Sequence, residues 1–277
     1  MLWKKDMLFC EISPTCYKIS QRKEIILRHI RNFLNDKNMA KEIREEKLPC
    51  VVSSFSSNLI KRAPGVNLLH QENKAVNIAI ASSKMNGLII HPGEEFSFWR
   101  LVGDTTRRKG YKEGRVIIGH KLTTGYGGGL CNLSNTIHLL VLHSPMDVTE
   151  FHSHSDALAP DEGKRVPFSA GTSVDYNNVD YRFRNNTDRD IQLCLWCEDE
   201  KLYGELRSES EFPWRYELVE EDHHFSKEGE KYYRISKIYK QTVEKETEKV
   251  IEKKLVLDNH SEVLFDYELI PKEQIRA

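Results

Sequence analysis

Hydrophobic positions along this chain change rhythm near residue 88, from helical spacing to short runs punctuated by glycine and proline. In "SQRKEIILRHIRNFLNDKNMAKEIREEK", Ile26, Ile30, Phe33 and Leu34 fall at helical spacing amid charge, and Pro49 closes the segment. Residues three and four apart share a face of a 3.6-residue helix, so the pattern predicts an amphipathic packing helix, or two. "VVSSFSSNLIKRAPGV" reads as a loop. The next stretch, "NKAVNIAIASSKMNG", places Ala75, Val76, Ala79 and Ile80 on one helical face and stops at Gly87.

Beyond Leu88 come "LII", "FSFW" and "DTTRRKGYKEGRVIIGHKL", with Pro92, Gly93, Gly110, Gly114 and Gly119 as turn signals. One helix interrupts the strands, since Leu133, Ile137, Leu140 and Val141 share a face and Pro145 bars continuation. Alternating runs resume in "MDVTEFHSHSDAL", "TSVDY", "VDYRFRN" and "DIQLCLWC". From about Phe212 the chain is charge-dense, and Tyr233, Ile235 and Ile238 with Val250, Leu255 and Leu257 flank a charged turn, which predicts a long hairpin. Its simplest role is a solvated β appendage. The fold class is α+β: an N-terminal helical region (1–69), a mixed helix and sheet core (70–207), and a C-terminal β-rich region (208–277).

Composition narrows the function classes. The 41 basic and 42 acidic side chains among 277 residues leave a net charge of -1, so no global field recruits nucleic acid. No apolar run is long enough to span a bilayer, and Asp6 and Glu11 break the opening stretch where a secretory signal would be uninterrupted. A cytoplasmic location is expected, with Cys10, Cys16, Cys50, Cys131, Cys194 and Cys197 as free thiols. Cys194 and Cys197 lie three apart in a strand, hence on opposite faces, which argues against a redox pair or zinc knuckle.

Chemistry concentrates in "GYGGGLCNLSN", residues 125–135. Three consecutive glycines, Gly127, Gly128 and Gly129, imply a tight turn or close backbone approach. Cys131 then opens a helix, where unpaired amides and the dipole favour thiolate. His138 lies two turns, about 10 Å, further along, too far to pair directly. His143 in the last turn suits a capping role. In "EFHSHSD", His152 and His154 project from one strand face, where a returning strand could meet Cys131. The same three residues could instead ligate zinc with an open fourth position. The glycine run lacks the Lys-Ser/Thr of a phosphate loop, so nucleotide binding is unsupported.

Three motifs in order, "HPGEEFSFWRLVGDTTRRKGYKEGRVI", "GYGGGLCNLSNTIHLLVLHSPMDVTEFHSHS" and "VDYRFRNNTDRDIQL", resemble a VanW domain over roughly residues 70–200. The resemblance implies a link to vancomycin-resistance gene clusters and, in exported relatives, to peptidoglycan-binding modules. It names no reaction. It maps the glycine, aliphatic and cysteine signature onto Gly127, Gly128, Gly129, Leu130 and Cys131, and the paired histidines onto His152 and His154. Asn132 stands where the family usually has Gln, and Gly171 where many members have Asp, which weakens a Cys-His-Asp triad; Asp156, Asp175 and Asp180 remain candidate orienting groups. The tail is faintly similar to small β modules found after such domains.

Three readings stay open at this point. In the first, Cys131 is a nucleophile with His152 or His154 as base, and Gly127, Gly128, Gly129, Asn132 and Ser134 bind an amide or ester substrate. In the second, the same pocket binds a small molecule or peptide without turnover. In the third, the motif is structural. None needs a cofactor, and the metal-free state is expected.

Overall fold

The computed structural model describes residues 8–35, 38–62, 67–118, 121–153, 156–157, 160, 172–176 and 178–276. Its helices are α1 (Pro14–Asn35), α2 (Leu68–Ser83), α3 (Phe98–Val102) and α4 (Leu130–Leu142). The first strands are β1 (Glu42–Ile43), β2 (Cys50–Asn58), β3 (Leu88–Ile90), β4 (Glu95–Ser97), β5 (Glu113–Ile118) and β6 (Lys121–Tyr126). β7 (Asp147–Glu150), β8 (Asp156–Ala157), β9 (Arg182–Arg184), β10 (Ile191–Glu198) and β11 (Lys201–Ser208) follow. The last four are β12 (Trp214–Glu228), β13 (Lys231–Glu244), β14 (Val250–Val263) and β15 (Ile275–Arg276). The α+β class holds.

Among the described residues the central sheet runs β1-β3-β10-β11-β2 and is antiparallel at every pairing. α4 lies on it. Leu130 and every residue from Leu133 to Leu142 are buried, as expected of a helix enclosed on all sides. Ile78, Met85, Phe96, Phe98, Tyr111 and Tyr181 complete the core around Leu133 and Ile137. A second sheet, β15-β12-β13-β14-β8, is built on the expected long hairpin, formed by β13 and β14, with β12 added to it. Cys194 is buried and Cys197 exposed, in accord with opposite faces of β10.

Three local expectations fail, each for a physical reason. "VVSSFSSN" is a strand and not a loop: β2 pairs with β11 from Asn58 to Cys50, and its serines conceal a face that buries Ser53 and packs Phe55. Of the one or two helices expected before Pro49, one forms, because Met39 bridges to Glu95 and β1 joins β3. α1 forms where expected but is turned over. Arg28 and Asn32 meet the body of the protein, whereas Ile26, Ile30, Phe33 and Leu34 are exposed. On α2 the fully buried positions are Gln71, Asn77, Ile78, Ala81 and Ser82, and Val76 of the expected face is exposed.

Candidate functional site

The β5–β6 hairpin delivers the glycine turn to the start of α4, with Gly114 opposite Gly125 and Glu113 opposite Tyr126. Each glycine of the turn is required by what lies beside it. A Cβ on Gly128 would stand 2.3 Å from the carbonyl carbon of Gly114. Gly127 and Gly129 have φ of +81° and +96°, the left-handed region, and face Thr105 and the Lys74 side chain respectively. Buried Asn77 of α2 locks the turn: its amide donates to the Gly128 carbonyl at 2.9 Å and the Lys112 carbonyl at 3.0 Å, and its oxygen accepts from the Lys112 amide at 2.7 Å. Hydropathy patterning missed Asn77, since a polar residue inside a helix-sheet junction carries no apolar signal.

Cys131 sits in the first turn of α4, partly buried, with its thiol 3.8 Å from the Val174 carbonyl. Burial pushes the thiol up, against the Val174 hydrogen bond, so the helix N-terminus does not leave a standing thiolate. The Gly127 amide is already spent on the Lys112 carbonyl at 3.1 Å. Ser134 is buried and bonds back to the Cys131 carbonyl, and Asn132 accepts from Ser57. These two side chains therefore fasten α4 to itself and to β2.

The segment 172–176 lies between α4 and the first histidine. Thr172 donates to buried Asn135, the Val174 carbonyl accepts from Cys131, and the Ser173 amide donates to the His152 carbonyl at 2.8 Å. Cys131 and His152 thus flank one strip of backbone. Among the described residues no hydrogen bond joins them. The exposed His152 ring is 3.2 Å from Glu150, so among the described residues its carboxylate partner is Glu150 and neither Asp175 nor Asp180. His154, Gly171 and the side chain of Asp156 lie outside the described residues.

Glu150 belongs to a half-buried ionic network. Arg28 holds it through two hydrogen bonds of 2.7 and 2.5 Å, Arg182 approaches at 3.6 Å, and Asp180 accepts from Ser97, the Trp99 amide and Arg182. Burial works to raise the Glu150 carboxyl, but the Arg28 guanidinium outweighs it and leaves the group below its ordinary value. Held by these pairs, the network fixes local geometry.

Two cavities among the described residues lie at the seam between α4 and the second sheet. One of about 420 Å³ is lined by Phe55, Leu139 and Trp214. A larger cleft of about 940 Å³ is walled by Phe151, Trp214 and Tyr216 and carries Asp147, Asp188, Arg189 and Lys240. Neither is lined by the glycine turn, Cys131 or His152. Within the larger cleft, His138 bonds to the Tyr181 hydroxyl at 3.1 Å and stacks on Phe151. Burial, with repulsion from Lys240, pulls His138 down to about 3. Lys240 donates to the carbonyls of Ser144 and Met146, and burial lowers it to about 8. His143 caps α4, its ring 2.8 Å from the Leu139 carbonyl.

Among the described residues no group of three or more His, Cys, Asp and Glu is placed to hold a metal, and no helix is long and apolar enough to cross a membrane. Comparison with known proteins places this architecture. No solved structure matches the chain. It is 29% identical over 226 residues to the Vancomycin B-type resistance protein VanW of Enterococcus faecalis (strain ATCC 700802 / V583), covering 82% of each protein. It is also 29% identical over 122 residues to the Uncharacterized protein YoaR of Bacillus subtilis (strain 168), covering 44% of this chain and 39% of that one. Residues 73–207, which hold the glycine turn, Cys131, His152 and most of the central sheet, match the family described as VanW like protein. Residues 73–207 of this chain thus form a VanW-like domain.

Proposed function

We propose that this chain acts in glycopeptide resistance or cell-envelope physiology as a binding protein, seating a small molecule or peptide in the seam cleft without covalent chemistry. The first half rests on the Enterococcus relative, whose name ties it to vancomycin resistance and whose alignment runs over 82% of both chains. The second rests on one observation: among the described residues, a cleft of about 940 Å³ opens at the seam, with aromatic walls and charges of both signs. Ligand sites combine an apolar lining with a few polar groups in about 300–1,000 Å³. Trp214 and Tyr216 offer flat apolar contact, and the lining carries polar groups at Asp147, Arg189, Asp188 and Lys240, with Arg189 paired to Asp188 at 3.0 Å. Turnover is not required.

Acyl transfer at Cys131 is the second reading, favoured by the thiol's position among helix-start amides. It asks more of the site, because the thiol is held protonated and its polar neighbour is a carbonyl. Two variants separate the readings in a glycopeptide-susceptibility assay run beside melting curves. Cys131→Ser is expected to keep the wild-type phenotype, and Trp214→Ala to lose it while staying folded. The reverse pattern overturns the binding proposal in favour of the thiol.

A further inference from the structure

We infer that α1 is an in-plane anchor that seats this protein on an anionic lipid surface. At 3.6 residues per turn, Ile19, Ile26, Ile30 and Phe33 point within about 60° of one another, and Arg28 points about 180° away from Ile19. The structure keeps that polarity. Arg28 and Asn32 are drawn inward by Glu150 and Arg182, and the opposite face is open, with Ile19 53%, Ile26 58%, Ile30 52% and Phe33 89% exposed. An apolar stripe on a surface helix normally turns to the core. Here Arg28 and Asn32 make polar contacts on the inner face, so the stripe is displayed.

Charge selects the occupant. Lys18, Arg22, Lys23 and Arg31 are exposed along the borders of the stripe, and the one acidic residue of the helix, Glu24, is paired with Lys23 at 2.8 Å. A second copy packed two-fold on this stripe would bring the same cationic borders together. An anionic lipid surface neutralises them and takes the isoleucines and Phe33 into its acyl boundary, the arrangement of an interfacial amphipathic helix with a basic polar face.

Sedimentation of the full chain with vesicles tests this. Mixed phosphatidylcholine and phosphatidylglycerol vesicles are expected to carry the protein down, pure phosphatidylcholine vesicles to carry little, and salt to release it. Ile30→Glu with Phe33→Glu, and separately Arg22→Glu with Lys23→Glu, are each expected to weaken binding by about tenfold or more. These side chains are exposed, so melting temperature stays at the wild-type value. Phe33→Trp supplies a second readout, a blue shift of tryptophan emission on vesicle addition. No binding to the anionic vesicles, binding unchanged in both double variants, or an emission spectrum unmoved by vesicles overturns the proposal. So does a stable dimer that Ile30→Glu with Phe33→Glu dissolves while vesicles bind neither form, which would assign the face to a second copy.

Discussion

Gly128 and Gly114 meet backbone to backbone, and that contact accounts for the middle glycine of the turn better than any demand of chemistry. A methyl group on Gly128, whose φ is not in the left-handed region, would collide with rigid main chain 2.3 Å away, whereas Gly93, at a φ of +81°, has nothing within 4 Å of its missing Cβ. The two substitutions separate steric fit from backbone conformation. Gly93→Ala is expected to cost about 1 kcal/mol, the left-handed penalty alone. Gly128→Ala should cost roughly 2–4 kcal/mol, as overpacking forces the hairpin off α4. Denaturant titration of both variants measures the difference, and equal losses would show that close packing at Gly128 is not what selects glycine. The triplet itself was legible as a site needing close approach. What approaches was not, because Gly114, Lys74 and Thr105 come from three separate stretches of chain.

At the scale of elements, periodicity located α1 and failed to orient it. A 3.6-residue pattern says that a helix has two faces, and convention turns the apolar one inward. The partners that decide otherwise, Glu150 and Arg182, are 122 and 150 residues away in sequence and give no local signal. β2 was hidden for a related reason: serine is polar by composition, yet Ser53 is buried and donates to the Leu140 carbonyl at 2.9 Å. α1 depends on few ionic contacts, so one substitution should loosen it without unfolding the rest. Arg28→Ala removes both hydrogen bonds to Glu150 and is expected to cost α1 about 1–3 kcal/mol of local stability. Hydrogen exchange resolved by peptide should then show protection lost across residues 14–35 and retained in α4 and β10. Unchanged protection in α1 would mean that other contacts hold the helix.

For the whole molecule, the decisive question is how the charge-dense C-terminal sheet is tied to the rest, since sequence alone suggested a solvated appendage. Leu139 and Leu142 of α4 pack with Ile238 of β13, supported by Phe55, Leu218 and Val256. Lys240, on the same strand, spans the seam and donates to the Ser144 and Met146 carbonyls just past the end of α4. Alternation along β13 made it legible as a strand; a lysine in a charged sequence gave no hint that it was turned inward. Its burial has a consequence in pH. The unfolded chain holds this lysine's proton up to about pH 10.4, whereas the folded state releases it near pH 8. Between those values the unfolded state binds more protons, so stability rises with pH. Other groups act in the same window: burial raises the thiols of Cys131, Cys194 and Cys197, whose ionisation in the unfolded chain from about pH 8.5 opposes the rise, while lowered Lys74 and Lys84 add to it. Tyr111 and Tyr216, pushed up to about 12, oppose it only above about pH 10. Measured against a Lys240→Met variant, in which those groups are unchanged, wild-type protein should therefore gain about 1–3 kcal/mol between pH 8 and 10, allowing for partial solvent access to the amine. Lys240→Met removes the titrating group and should flatten that rise, whatever it does to stability at neutral pH. Urea titrations of both proteins at intervals across the window read the slope directly. Parallel curves for wild type and variant would mean that Lys240 is solvated at the seam and that the cleft it borders is more open than the structure places it.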